Sequence, residues 1–223
     1  MKRANVTVIA AFTTFALMRT FGYQPFNVPS PSMYPALHIG DYELVSKWAY
    51  GYSTASLPLG APPPTQDRLF GKIPSRGDVV VFRWSANPSE SWVKRVVALP
   101  GETVTIENGV PQFAGLARTQ ITDIGETGQC WKSDCQLRSE VLPGGSTHMI
   151  AFDPNYPAHR DEAAMTVPPG MLFVMGDNRD HSLDSRVPSL NGGAGLVPIA
   201  DLEGKVAIVV LNRLDLNRRL IVP

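Results

Sequence analysis

The stretch SWVKRVVALPGETVTIENG, residues 91–109, decides the fold. Its first part is a valine-rich run. Pro100-Gly101 then makes a turn, residues 102–107 alternate apolar with polar, and Asn108-Gly109 is a hairpin-turn pair. It reads as strand, turn, strand, turn. Upstream, RGDVVVFRW (76–84) is a turn followed by a strongly apolar strand, and DYELVSKWAYGY (41–52) is a strand closed by a glycine. Between them, residues 53–75 are rich in proline and glycine and read as a long surface loop. Downstream, MTVPPGMLFVMGDNRDHSLDSR (165–186) is a strand running into a polar loop, and EGKVAIVVLN (203–212) is a last apolar strand. No segment of useful length after residue 26 has a helical period, and 20 prolines and 19 glycines favour a turn-rich chain. The expected fold is mostly β: an antiparallel core formed by residues 27–109 and 167–223. A small β-rich subdomain at 110–166, weakly periodic and less regular, interrupts it.

Charge excludes one class of partner. Twenty basic residues balance 20 acidic ones, so no basic excess exists to neutralise phosphates and nucleic acid is not expected. The four histidines, His38, His148, His159 and His181, have no metal-ligand spacing, and neither metal nor cofactor is expected.

The N-terminus points to a membrane. Lys2 and Arg3 lie in residues 1–4 and precede an uncharged run from Asn5 to Met18. Fourteen helical residues span about 21 Å, short of a bilayer core of roughly 30 Å. Extended to Phe26, with Arg19 snorkelling among aromatic neighbours, the run is long enough. No A-x-A-like site follows it, so an uncleaved single-pass signal-anchor at 5–26 is preferred to a cleavable signal peptide. Residues 1–4 then stay in the cytoplasm and the rest is exported. Cys130 and Cys135, in CWKSDC, read equally well as two thiols or as a small-loop disulfide. The exported location favours the disulfide.

Two motifs mislead. Arg76-Gly77-Asp78 is more simply a turn entering a strand than an adhesive tripeptide. Ser91 and Lys94 match S-x-x-K, but that chemistry needs both on one face of a helix, and in a strand they point apart. Lys94 by itself is informative. Its expected face-mates are Trp92, Val96 and Ala98, all apolar, so desolvation should lower its pKa toward that of a usable general base; the commoner alternative for such a residue is a snorkelling edge-strand lysine that guards against aggregation. Ser32 lies in NVPSPSMYPALHIGD (27–41), a loop stiffened by Pro29, Pro31 and Pro35. Such a loop can preorganise a hydroxyl and an adjacent N–H, but a serine needs a base to become a nucleophile.

These segments together resemble type I signal peptidases. PSPSMYPALHIGDYELVSKWAYG is similar to the family's nucleophile segment, RGDVVVF and WVKRVVALPGETV to the segments around its lysine, and GDNRDHSLDSR to its last conserved box. The resemblance implies a serine endopeptidase with a Ser–Lys dyad: Ser32 as nucleophile and Lys94 as base. It implies Ser30, with the N–H of Ser32, as the oxyanion site, and Ser182 as the group that orients the lysine amine. Asp177, Asp184, Arg95 and Arg186 would brace the site. Phe26, Val28, Met33, Leu37, Trp92 and Val93 are candidate walls of apolar pockets that read small residues. The implied substrates are exported precursors bearing signal peptides, cut after Ala-x-Ala-like motifs. The implied enzyme is a monomer in the bacterial cytoplasmic membrane with its catalytic domain on the periplasmic side. Two rivals stay open: the same chemistry dedicated to pilin or conjugation substrates, and an inactive membrane-tethered β-domain that binds exported chains. Pro31, between the two serines, departs from the family's frequent glycine.

Overall fold

The structure is a computed structural model that describes residues 22–53, 55, 68–218 and 223. Its strands, in chain order, are β1 (Tyr23–Asn27), β2 (Asp41–Ser46), β3 (Val79–Trp84), β4 (Asn87–Ala98), β5 (Thr103–Glu107), β6 (Val110–Phe113), β7 (Gln120–Cys130), β8 (Ser133–Val141), β9 (Thr147–Phe152), β10 (Glu162–Thr166), β11 (Met171–Met175), β12 (Val197–Pro198) and β13 (Leu202–Asn212). A seven-stranded sheet in the order β1-β2-β13-β3-β4-β11-β12 carries the site. Three-stranded sheets β10-β5-β6 and β7-β8-β9 flank it, and the strand pairs are antiparallel throughout.

The apolar run at 79–82 is continuous because both faces of β3 are buried. Val80 and Phe82 pack with Val96, Leu172, Val174 and Leu202. Val79 and Val81 pack with Val28, Met33, Leu37, Val45, Val206 and Val209. The β4–β11 ladder is irregular: Phe173 pairs with Ala98 but Val174 with Val96, leaving Val97 as an extra residue. This bulge breaks the period of two. Val96 therefore packs with Val80, whereas Ala98 joins Val97, Val104, Ile106 and Phe173 in a separate cluster, so Ala98 is not the face-mate expected for Lys94.

Three expectations are corrected. The region 110–166 is regular: β7 and β8 form a long hairpin extended by β9. The division does not fall at residue 109, because β5 pairs with β6 and β10 rather than with the large sheet. A membrane helix cannot continue to Phe26, because Tyr23–Asn27 forms β1 and pairs with Tyr42–Ser46. The remainder of the expected anchor, residues 5–21, lies outside the described residues, and among those described no helix is long and apolar enough to cross a membrane. Cys130 and Cys135 are joined by a disulfide. The RGD sequence is structural. Gly77 has a left-handed φ of 91° and donates its N–H to Val96 O, Arg76 pairs with Glu102, and Asp78 accepts from Lys205 and Tyr50.

Candidate active site

Lys94 and Ser32 meet although 62 residues separate them: Lys94 Nζ donates to Ser32 Oγ at 2.8 Å. The amine also donates to Val93 O at 2.9 Å and lies 5.6 Å from the Trp92 ring centroid. Ser91, three residues away, bonds instead to Glu203, as expected of a strand that throws positions 91 and 94 apart. Lys94 is only 4% exposed. Burial pushes its ammonium down from the usual lysine value to about 8, while Asp184 and Asp177 oppose the shift and Arg186 adds to it. At that value an appreciable fraction of the amine is neutral near physiological pH and able to accept a proton. Ser30 Oγ lies 3.3 Å from Ser32 Oγ.

The loop carrying Ser32 is clamped from below by the segment after β11. Asn178 donates its N–H to Ser32 O at 3.1 Å and its Nδ2 to Pro31 O at 3.1 Å. Pro31 O also accepts from Tyr34 N, so the carbonyl of the unusual proline is a fixed point of the loop. Gly176 is required by space: a Cβ there would stand 2.2 Å from Ser182 Oγ and 2.4 Å from Ser32 O. Gly176 and Asn178 are parts of the site that the residue-by-residue reading missed, although both stand in the GDN segment it had singled out. The residue types were the available signal: an asparagine just after an apolar strand has an amide that must find partners if it is buried.

Two buried ion pairs hold this platform. Arg95 forks onto Asp177 with bonds of 2.8 and 2.6 Å and reaches Gly77 O, bracing β4 beside Lys94. Arg186 forks onto Asp184 and also donates to Arg179 O and His159 O. Burial would raise the Asp184 carboxyl, but Arg186 and the N–H of Gly176 outweigh it and hold the pKa below the usual aspartate value. A third pair, Arg179–Glu140, links the turn after β11 to β8.

The expected hydrogen bond from Ser182 to the lysine amine is not formed. Lys94 Nζ is bonded to Ser32 Oγ and Val93 O, while Ser182 Oγ is wedged against Gly176 and beside Asp184 without a well-formed partner. The pocket residues divide. Trp92 and Val93 line the cleft that holds Ser32 and Lys94. Val28, Met33 and Leu37 are at most 2% exposed and fill the core beneath the loop, because Val45, Val79, Val81, Val206 and Val209 on the sheet must be covered. Phe26 packs half-buried on the rim of that cluster. Among the described residues, no group of three or more His, Cys, Asp or Glu side chains is arranged to hold a metal ion.

The sequence matches the family described as signal peptidase, peptidase S26, over residues 1–211. The chain belongs to this family. It is 34% identical over 202 residues to the signal peptidase I of Pseudomonas aeruginosa, covering 86% of this chain and 66% of that protein. It is 32% identical over 228 residues to that of Rickettsia typhi, covering 93% of this chain and 81% of that protein. The chain thus spans just under two thirds of the length of the Pseudomonas relative. A crystal structure of a signal peptidase I from Enterococcus faecalis aligns at 25% identity over 60% of this chain and 97% of that one, with a TM-score of 0.35. Membership in the signal peptidase family rests on the sequence, and it bears out the resemblance read from the motifs.

Proposed function

We propose that this signal peptidase family member is a membrane-bound serine endopeptidase that removes N-terminal signal peptides from exported precursors, cutting after small residues by a Ser–Lys dyad. One observation carries the mechanism: a buried lysine with a pKa lowered to about 8 donates a 2.8 Å hydrogen bond to the hydroxyl it would activate.

In the neutral form, Lys94 Nζ accepts the Ser32 proton as Oγ attacks the scissile carbonyl carbon. The Ser30 hydroxyl and the Ser32 N–H stabilise the oxyanion. When the C–N bond breaks, the protonated Lys94 passes its proton to the departing amine and Ser32 keeps the acyl group. A water then attacks the ester, giving its proton to Lys94, and the carboxylate product leaves as Ser32 regains its hydrogen. A buried amine next to the nucleophile does the work of an imidazole because desolvation, rather than a carboxylate partner, sets its basicity. Arg95–Asp177 and Arg186–Asp184 act as positioning pairs.

Substrate positioning follows from β4. Its other neighbour, β11, joins it only from Arg95 onward, so among the described residues the outer part of β4 has one edge free beside Ser32. An extended segment upstream of the cut can add to that edge, with Trp92 and Val93 against its side chains. Membrane association is supported by the aromatic pair at β1 and the turn after β2, where Tyr23 stacks edge-on with Trp48 at 4.6 Å and both are exposed.

The test is cleavage of a purified precursor, with N-terminal sequencing of the product. The proposal expects one cut after a small residue at the signal-peptide boundary with the wild type and none with Ser32→Ala. An equal rate of cleavage by Ser32→Ala sinks it.

A further inference from the structure

The cavity holding Ser32 and Lys94 continues well past them. Its volume is about 1040 Å³, above the roughly 300–1,000 Å³ of small-molecule sites. One part is walled by the free edge of β4 and by Pro29–Ser32. The other is walled by the tip of the β7–β8 hairpin, by residues of the segment 153–159 and by the turn 180–183. Apart from Ser182 and the backbone carbonyl of His159, which accepts from Arg186, the second part contains nothing used in the dyad or its bracing.

That second part is built around exposed rings. β7 ends at Cys130 and β8 starts at Ser133, so Trp131 and Lys132 form a two-residue turn between that facing pair, and the disulfide from Cys130 to Cys135 ties the two strands just behind it. Such turns favour Asn and Gly because they need positive φ. Here a tryptophan has φ of 66° and is 55% exposed. A bulky residue held in that conformation, with its ring in a cleft, is a pointer to function rather than to folding. Tyr156, 61% exposed, stacks on His181 with centroids 5.3 Å apart and planes 10° from parallel. Buried Asp153 fixes the stack: His181 Nε2 lies 2.8 Å from its Oδ2, and Ser133 Oγ donates to the same oxygen. One carboxylate thereby ties the hairpin tip to the aromatic platform. Leu183, half exposed, follows Ser182 on the same wall.

We propose that this half of the cleft is the subsite for the residues immediately downstream of the cut, and that Trp131 and the Tyr156–His181 stack select a large apolar or aromatic side chain among them. The proposal rests on the peptidase reading above. If the upstream segment occupies the β4 edge, the leaving segment has to run through the part of the cavity that edge does not serve. An extended chain advances about 3.3 Å per residue, so several downstream residues remain inside so large a cavity. A flat ring stack and a further exposed ring lining the same cavity are suited to gripping a passing apolar side chain.

The experiment uses the full chain in detergent micelles with two substrates. One is a peptide spanning the cut, with a single phenylalanine moved through the first four downstream positions in an otherwise alanine and serine background. The other is the same upstream segment ending in an aminocoumarin amide, which has no downstream residues. The wild type should prefer phenylalanine at one or two positions. In Tyr156→Ala and Trp131→Ala, the ratio of kcat/KM for that peptide to kcat/KM for the amide should fall about three- to tenfold. Both rings are exposed, so folding is not at stake. No positional preference, or an unchanged ratio, overturns the inference. An equal loss on both substrates together with weaker binding to phosphatidylethanolamine–phosphatidylglycerol vesicles also overturns it, assigning the rings to the bilayer. If Ser32→Ala still turns over the amide, the peptidase reading itself fails, and that result is separate from the ratio.

Discussion

The pH dependence of catalysis follows directly from the burial of Lys94. With a folded-state pKa of about 8, the neutral fraction is about 9% at pH 7, about half at pH 8 and about 91% at pH 9. Only the neutral amine can take the proton of Ser32, so kcat/KM should climb about tenfold between pH 7 and pH 9 and level off above. The assay is initial-rate cleavage of a short peptide at substrate concentrations well below KM, which reports the free enzyme. Asp184 is the largest influence opposing the depression of the pKa. Replacing it in Asp184→Asn should move the rising limb to lower pH, even if total activity drops because Arg186 loses its partner. Lys94→Arg should lose about a hundredfold or more at every pH, since a guanidinium does not deprotonate. A limb at the ordinary lysine value, or a rate that falls as pH rises from 7 to 9, would refute the reasoning.

Other outcomes follow from the same geometry. The depressed lysine lowers stability at neutral pH: the unfolded chain keeps its proton up to the ordinary value of 10.5 while the folded chain loses it near 8. The Lys94 contribution to stability should therefore rise across that window by about 3 kcal/mol, and the difference between Lys94→Met and wild type in urea unfolding should change by that amount between pH 7 and pH 10.5. Asp177→Ala strands the buried guanidinium of Arg95 and should cost about 3–5 kcal/mol, whereas Arg95→Met/Asp177→Leu should cost clearly less than the two single changes summed. Gly176→Ala should cripple turnover of every substrate, because its Cβ would meet Ser32 O at 2.4 Å. A crystal structure showing the nucleophile loop unmoved in an active Gly176→Ala variant would remove that argument.

How far the chain could be read from its sequence depended on what each residue faces. Lys94 was only half legible: a charge between Trp92 and Val96 in a valine-rich strand fits a lowered pKa, but it fits a snorkelling edge-strand lysine as well, and the family motifs decided between them. Its partner was not legible from spacing, since 62 residues separate it from Ser32, and only the family motifs joined them. Val28, Met33 and Leu37 are apolar residues of the segment that resembles the family's nucleophile loop, which makes them pocket candidates in the sequence and core residues in the fold. Nothing local shows that the far side of the loop must cover β2, β3 and β13. The β7–β8 hairpin escaped notice because most of β7 is exposed on both faces, leaving no apolar alternation to read. The bulge at Val97 is set by pairing with β11, a tertiary choice that no local pattern encodes. Asn178 and Gly176 act through backbone contacts to Ser32, which leave no mark beyond the residue types themselves.

The central claim is that Ser32 forms an acyl-enzyme under the control of Lys94. The most direct measurement is rapid-quench mass spectrometry of the full chain mixed with an activated ester of a peptide ending in Ala-x-Ala, followed by proteolytic mapping. The account predicts a transient mass increase equal to the acyl group, confined to the fragment carrying Ser32. The increase should be absent in Ser32→Ala and its formation strongly slowed in Lys94→Ala. An adduct on another residue, or the same adduct formed at the wild-type rate by Lys94→Ala, would contradict it.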